Sequence, residues 1–147
     1  MKNLPQQTVI VPWDFSDLSR TALKYAVSSV EFHERIEVIH VTPAPTAVGP
    51  GIVWGNDTEA TIIENLNQSF EEARIKCHLP AIKFTVLFGD PGSRIADAAA
   101  DAQAGLIIVP SHGRTGISRL LLGSVAERIV RLAPCSVLVY REAVGDA

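Results

Sequence analysis

One stretch of the chain decides the fold: Ile107-Ile-Val-Pro-Ser-His-Gly-Arg-Thr-Gly-Ile-Ser-Arg-Leu-Leu-Leu-Gly-Ser-Val-Ala-Glu-Arg128. It begins as an apolar, β-branched run, breaks at Pro110, turns through a polar loop that contains glycine, and enters an amphipathic helix at Gly123-Ser124. Because Ser124-x-x-Glu127 has the spacing of a capping box, we expect Ser124 to be the N-cap of that helix. The plain interpretation of the stretch is a strand, a long loop and a well-capped helix.

The start of this helix also has features that favour anion binding. The first turn of a helix has free backbone N–H groups, and the positive end of the helix dipole lies there, so a phosphate is favoured. Gly113 and Gly123 carry no Cβ, and we expect the backbone at both positions to come close to a ligand. Spacing alone permits a phosphate site here without requiring one.

The composition is that of an ordinary globular protein. The chain has 147 residues, of which 47% are hydrophobic and 20% charged, and we expect one domain over residues 1–147. A net charge of -3 creates no strong field for nucleic acid or anionic lipid. The two cysteines are far apart and indicate reduced thiols. With no signal peptide and no apolar run near the ~20 residues of a membrane span, we expect a cytoplasmic protein without nucleic-acid or membrane partners.

Short apolar runs alternate with helical periodicity along the whole chain. This alternation predicts an α/β fold with a parallel sheet and helices on both faces. Strands are predicted at residues 8–12, 35–41, 81–88, 106–109 and 134–140. Residues 42–56, with three prolines and three glycines, are predicted to form a mobile loop.

A ligand site is expected at one point of such a sheet. Ligands bind beyond the carboxyl ends of the strands, where the strand order reverses. We expect the five strands to lie in the order 3-2-1-4-5, in which this switch point lies between strands one and four. Asp14 follows the first of these strands, and Ser111-His-Gly113 follows the other. We expect Ser16 or Asp17 to cap the helix after the first strand.

With these residues in view, the chain resembles the universal stress protein family over nearly its whole length. ATP-binding members carry G-x-x-G, nine residues, then G-[ST]. Here the pattern is Pro110-x-x-Gly113, nine residues, then Gly123-Ser124, so proline replaces the first glycine. Proline fixes φ and has no N–H, but its carbonyl remains available. Pro12-x-Asp14-x-Ser16 and Pro134-Cys-x-Val-Leu-Val also resemble family segments.

The resemblance implies a Rossmann-like fold of the adenine nucleotide alpha hydrolase type, which binds ATP accompanied by Mg²⁺. It implies that the Asp14 carboxylate binds the ribose hydroxyls, that the Val41 backbone faces the adenine, and that Gly113, Gly123, Ser124 and Val125 hold the phosphates. The nucleotide-binding residues predicted in this way are Pro12, Trp13, Asp14, Val41, Pro110, Ser111, His112, Gly113, Arg114, Gly123, Ser124 and Val125.

Several of these residues have an alternative interpretation. Asp14 could cap the first helix, and Trp13 could pack in the core rather than line the base pocket. Arg114 and Arg119 could neutralise phosphate or remain solvated. For His112, a structural or ligand-edge role is expected, because adjacent residues rarely form a nucleophile–base pair and there is no G-x-S-x-G motif. No catalytic residue and no protein ligand for a metal is predicted.

The function predicted is that of a nucleotide-binding regulatory module, with at most weak ATPase activity because the Walker A lysine is absent. The alternative is a dimeric interaction protein of the same fold that binds no nucleotide, which Pro110 favours. A response-regulator receiver would need lysine where this chain has Tyr140-Arg-Glu, and a dinucleotide dehydrogenase would need G-x-G-x-x-G after the first strand. The edge position of the last strand, Cys135 to Tyr140, predicts a homodimer.

Overall fold

The computed structural model describes residues 6–45, 58–113 and 122–142. Within these ranges, strands and helices alternate along the chain as the apolar pattern predicts. A short 3-10 helix, His33–Arg35, precedes the second strand. The elements are β1 (Val9–Pro12), α1 (Asp17–Ser29), β2 (Ile36–Thr42), α2 (Glu59–Lys76), β3 (Lys83–Phe88), α3 (Pro91–Asp101), β4 (Leu106–Pro110), α4 (Ser124–Leu132) and β5 (Ser136–Tyr140).

The five strands form one parallel sheet in the order β3-β2-β1-β4-β5. This confirms the predicted order 3-2-1-4-5 and the predicted α/β class. The adjacent strands β1 and β4 carry the most strongly apolar runs, and every residue of both is buried. Such continuous runs are typical of parallel strands that are covered on both faces.

Successive residues of the central strands face opposite sides of the sheet. Val9 and Val11 belong to a core cluster that includes Leu23 of α1 and Phe70 of α2. Ile10 belongs to the other cluster, which contains residues of α3 and α4 such as Ile95 and Ile129. The helices therefore cover both faces, and each face has its own core.

The strands β1 and β4 separate toward their carboxyl ends, at the point where the strand order reverses. β1 pairs with β2 as far as Pro12, but its pairing with β4 is limited to Val9 with Leu106 and Ile10 with Ile107. Both strands end in proline, which has no N–H to contribute to a ladder between them. A crevice therefore begins between the carboxyl ends of β1 and β4.

The start of α1 agrees with the sequence prediction, and the start of α4 differs from it. Ser16 caps α1 by accepting a hydrogen bond from the Ser19 N–H at 3.1 Å, and Asp90 caps α3. The prediction that Ser124 caps α4 is wrong, because Gly123 is the N-cap and no side chain caps this end. The Glu127 N–H donates to the Gly123 carbonyl at 2.9 Å.

The predicted mobile loop over residues 42–56 lies mostly outside the described residues. β2 continues through Thr42, and the chain is described as far as residue 45 and again from residue 58. Across the ranges that the structure covers, no helix has both the length and the apolarity needed to cross a membrane.

Candidate functional site

A cleft lies at the switch point, between the carboxyl ends of β1 and β4 and beneath the N-termini of α3 and α4. It brings together residues that the sequence pattern placed in three separate segments. The predicted site residues that line it are Pro12, Trp13, Asp14, Val41, Pro110, His112, Gly113, Gly123, Ser124 and Val125. Ser111 is buried and does not line the cleft, and Arg114 lies outside the described residues.

The interior of the cleft is apolar, and its floor consists of residues that sequence reasoning did not include. Ile39, Ile95, Val109 and Ala126 belong to the core cluster beneath α3 and α4, and they also line the cleft. Pro91, the first residue of α3, completes this wall. The signal for Pro91 was available, because Asp90-Pro91, after the third predicted strand, has the residue types of a helix start, and such a start must lie at the same edge of the sheet.

Asp14 has one carboxylate oxygen engaged within its own turn. Its Oδ1 accepts a hydrogen bond from the Ser16 N–H at 3.0 Å. The other oxygen, Oδ2, lies on the side of Gly113, since a Cβ built on that glycine would be only 2.8 Å from it. Asp14 therefore does not cap α1, because Ser16 is the N-cap of that helix. Its second oxygen is directed across the crevice from β1 toward the end of β4.

The residue that follows Asp14 has an unusual backbone. Phe15 has φ +65°, in the left-handed region. For an L-residue with a bulky side chain this conformation costs roughly 1–2 kcal/mol. Surrounding contacts must offset that cost, and the ring of Phe15 packs edge-on against Trp13 and His40, with centroid distances of 5.7 and 5.2 Å.

The first turn of α4 supplies backbone donors in the lining of the cleft. The first bond within this helix runs from the Glu127 N–H, so the N–H groups of Ser124, Val125 and Ala126 have no acceptor inside the helix. Ser124 and Val125 are exposed at the cleft. Because no side chain caps this end, the N–H groups and the dipole remain available to an anion.

Gly123 has a different role from the one that its sequence context predicts. A Cβ there would lie 3.0 Å from the His112 Cα and 3.2 Å from the Ser111 carbonyl oxygen. The Gly123 N–H donates to that same carbonyl at 2.7 Å. Glycine therefore allows close packing of the helix start against the end of β4, and its N–H is already engaged, although Gly123 also lines the cleft.

The side chains of Ser111 and His112 contact each other, although adjacent residues rarely form a nucleophile–base pair. The Ser111 hydroxyl lies 3.2 Å from Nδ1 of His112. Ser111 is only 5% exposed and is absent from the cleft lining, whereas His112 lines the cleft. The hydroxyl is thus turned toward the imidazole and not toward a substrate, which makes it an orienting partner for His112.

Trp13 is chiefly a core residue. It is 3% exposed, and its ring packs edge-on against Phe70 of α2 at a centroid distance of 5.2 Å. Its Nε1 has no hydrogen-bond partner among the described residues. Trp13 therefore packs in the core beneath α1 and α2 and also reaches the wall of the cleft.

The ionisable groups in the described cleft lining are Asp14 and His112.

A second groove adjoins the cleft at the N-termini of α3 and α4, where Arg128 donates to Asp90 at 2.9 Å and crosses over Gly92. Hydrogen bonds from the backbone and side chain of Ser93, with the nearby Arg128 guanidinium, lower the pKa of the Asp90 carboxyl. Arg128 is therefore engaged in joining α3 to α4.

A strand order of β3-β2-β1-β4-β5 with a cleft at its switch point defines a doubly wound α/β protein. Comparison with known sequences narrows this class. Residues 6–141 match the universal stress protein family, and the chain belongs to that family. A curated universal stress protein of Methanocaldococcus jannaschii is 33% identical over 141 residues, which cover 91% of this chain and 81% of that protein.

Solved structures show the same fold at lower sequence identity. The universal stress protein UspA from Lactobacillus plantarum superimposes with a TM-score of 0.71 and 21% identity, covering 95% of this chain and 100% of that one. The Archaeoglobus fulgidus universal stress protein in complex with dAMP has a TM-score of 0.61 and 18% identity, with 94% and 100% covered. An Arabidopsis thaliana family member with AMP bound has a TM-score of 0.56 and 16% identity, with 93% of each chain covered.

Proposed function

We propose that this chain binds an adenine nucleotide, ATP in the first instance, in the cleft between β1 and β4, and acts as a stress-response module that works by binding. The observation that carries the proposal is the presence of Asp14 and the α4 N-terminus in the lining of one apolar cleft. The dAMP and AMP held by the Archaeoglobus and Arabidopsis family members support it, because both ligands share with ATP the adenine, a pentose with a 3′-hydroxyl and a 5′-phosphate.

Each part of the nucleotide has a counterpart in the cleft. The adenine ring suits the apolar floor beside Val41, Ile39 and Val109, where a planar base can be desolvated. The ribose hydroxyls can donate to Asp14 Oδ2, since Oδ1 already accepts from Ser16. The phosphates can accept from the N–H groups of the first turn of α4 and from His112.

Mg²⁺ would enter as part of the nucleotide complex. Among residues 6–45, 58–113 and 122–142, no group of three or more His, Cys, Asp or Glu side chains could hold a metal ion. Asp14 is the one carboxylate in the described lining, and in this proposal it serves the ribose. The phosphate oxygens and water would then be the main ligands of the cation.

The proposal also covers assembly and location. The last strand, β5, has one described neighbour, β4, so its other edge is open to a second copy of the chain. A twofold pairing of these edges would join the sheets of two chains into one continuous sheet in a homodimer. A cytoplasmic location is consistent with two cysteines that are both free thiols.

The test is isothermal titration calorimetry with Mg-ATP. We expect saturable binding to the wild-type chain, and a loss of roughly 1–3 kcal/mol of binding free energy in Asp14→Ala, as for a lost charged hydrogen bond. Asp17→Ala is the matched control, because Asp17 is fully exposed, pairs with Arg20 and lies outside the cleft lining. Absence of heat with folded wild-type protein at millimolar ATP would reject nucleotide binding.

A second function, that of a dimeric interaction protein without nucleotide, is favoured by Pro110. This residue is buried at the end of β4 and lines the cleft, where a proline offers no N–H to a ligand. Pro110→Gly separates the two functions. Under the nucleotide proposal, affinity for Mg-ATP stays the same or improves. If only the glycine variant binds, proline has removed the nucleotide function from this chain.

A further inference from the structure

Two residues behind the cleft, Phe15 and His40, hold the turn that carries Asp14. We infer that they are positioning residues for ligand recognition: they fix the Asp14 carboxylate in the orientation that a ribose requires, without touching the ligand themselves. Neither residue lines the cleft. The inference rests on the proposed nucleotide function and assigns that site two residues that the sequence motifs did not single out.

His40 ties the turn to the neighbouring strand. Its Nδ1 lies 2.7 Å from the Trp13 carbonyl oxygen, and because a carbonyl only accepts, Nδ1 carries the proton. One residue earlier in β2, the Ile39 carbonyl accepts from the Trp13 N–H at 2.9 Å. Both backbone groups of Trp13 are thus held by β2, immediately before Asp14.

Phe15 fixes the turn from the other side of Asp14. Its left-handed backbone, with φ +65°, reverses the chain so that the Ser16 N–H reaches back to Asp14 Oδ1 at 3.0 Å. The ring of Phe15 lies edge-on against the imidazole of His40 at 5.2 Å. The same histidine therefore holds the residue before Asp14 by a hydrogen bond and the residue after it by ring packing.

The consequence is an aspartate whose free oxygen has one orientation. Oδ1 is held within the turn, and Oδ2 is directed toward Gly113 across the crevice. A backbone in a sparsely populated conformation persists only where its surroundings enforce it, and such conformations concentrate at functional sites. Loosening the turn would let Asp14 rotate away and would lower affinity only for ligands that use the carboxylate.

The experiment measures binding of ATP and of 2′,3′-dideoxy-ATP, which lacks both ribose hydroxyls. His40→Phe keeps a ring against Phe15 but cannot donate to the Trp13 carbonyl, whereas His40→Asn can place an amide N–H where Nδ1 was. We expect His40→Phe to weaken ATP binding by about tenfold, the scale of one charged hydrogen bond, and to leave dideoxy-ATP binding unchanged. His40→Asn should retain most of the difference in affinity between ATP and dideoxy-ATP that the wild-type protein shows.

A double-mutant cycle with Asp14→Ala completes the test. His40→Phe should have no further effect on ATP affinity once Asp14 is gone. Equal weakening of ATP and dideoxy-ATP, or an undiminished effect in the Asp14→Ala background, would show a merely structural role and overturn the inference. If His40→Phe does not fold, Phe15→Gly frees the same turn and must meet the same criteria. Wild-type protein that binds no ATP rejects the proposed function itself, and this inference with it.

Discussion

Two glycines flank the cleft, and a methyl group added to each would meet different neighbours. At Gly113 the added carbon would lie 2.8 Å from Asp14 Oδ2, the end of a side chain that can rotate. At Gly123 it would lie 3.0 Å from the Cα of His112, which is backbone and can only shift together with the strand end. The two positions should therefore separate binding from stability.

We predict that Gly113→Ala lowers affinity for Mg-ATP by about tenfold, because the displaced carboxylate loses one charged hydrogen bond. Its free energy of unfolding should stay within about 0.5 kcal/mol of wild type. Gly123→Ala should instead cost roughly 1–3 kcal/mol of stability through overpacking. Urea denaturation and calorimetry of both variants measure these effects. The reverse pattern, with Gly113→Ala the unstable variant, would contradict the geometry.

The left-handed backbone of Phe15 gives a second prediction at this scale. Both Phe15→Gly and Phe15→Ala lose the ring, but glycine adopts φ +65° without steric cost, so it should be the more stable variant by roughly 0.5–1 kcal/mol. Lys24, exposed in α1, is the matched control, where alanine should exceed glycine by about 1 kcal/mol. Urea unfolding of the four variants gives both differences. Equal stability of the Phe15 pair would mean that the turn is not strained.

Residue identities at the site were largely accessible from the sequence, but their directions were not. Asp14 and Gly113 were predicted from separate motifs, and they do meet in the cleft. The same motif logic assigned Gly123 a ligand contact, although its missing Cβ faces the Ser111–His112 backbone. Which way a Cβ points depends on how the helix docks, and a one-dimensional pattern does not contain that information. Ile39 and Ile95 were missed because core residues and apolar cleft residues look alike in sequence.

At the level of elements, the two serines predicted as caps differ in the structure. Ser16 accepts a hydrogen bond from the Ser19 N–H at 3.1 Å, whereas Ser124 is the first residue of α4 and its side chain caps nothing. We predict that Ser16→Ala costs about 1 kcal/mol of stability and that Ser124→Ala costs a few tenths at most. Thermal or urea unfolding of the two variants measures this. A cost of about 1 kcal/mol for Ser124→Ala would restore the capping box that the sequence suggested.

The reason for this error lies in a tertiary contact. Gly123 and Ser124 are both acceptable N-caps by residue type, so the sequence leaves a one-residue ambiguity at the start of α4. The hydrogen bond from the Gly123 N–H to the Ser111 carbonyl fixes Gly123 at the strand end, and the helix begins at Ser124, one residue earlier than it would with Ser124 as its N-cap. The two prolines were likewise predicted to end their strands, and Pro12 and Pro110 are indeed the last residues of β1 and β4.

For the whole molecule, alternation of apolar runs and helical periods was enough to predict the class, and the strand order 3-2-1-4-5 was predicted as the expected order for such a sheet. The order depends on which strands are buried on both faces, and burial of all of β1 and β4 places them at the centre. The edge strands β3 and β5 each begin with an exposed residue, and the rest of each strand is only partly buried. The sequence shows this difference between inner and edge strands only weakly, because it is marked mainly by the polar first residues Lys83 and Ser136.

The open edge of β5 gives the prediction that belongs to the whole molecule. If two chains pair through this strand, the amides of Ser136–Tyr140 should exchange with solvent faster on dilution, while those of β1 stay protected. Val137 and Val139 pack against the core beneath α4, so lysine there would disturb folding together with assembly. Hydrogen exchange at two concentrations avoids that ambiguity. A sedimentation profile of monomer at micromolar concentration would contradict the homodimer.

In the proposed complex, a nucleotide lies across the switch point, with its ribose on Asp14 and its phosphates on the first turn of α4. A crystal structure of the chain with Mg-ATP tests this most directly. We predict a ribose hydroxyl oxygen within about 3 Å of Asp14 Oδ2, phosphate oxygens at similar distances from the N–H groups of Ser124 and Val125, and the base on the apolar floor. A nucleotide bound elsewhere, or bound in the cleft with Asp14 making no contact to the ribose, would contradict the account.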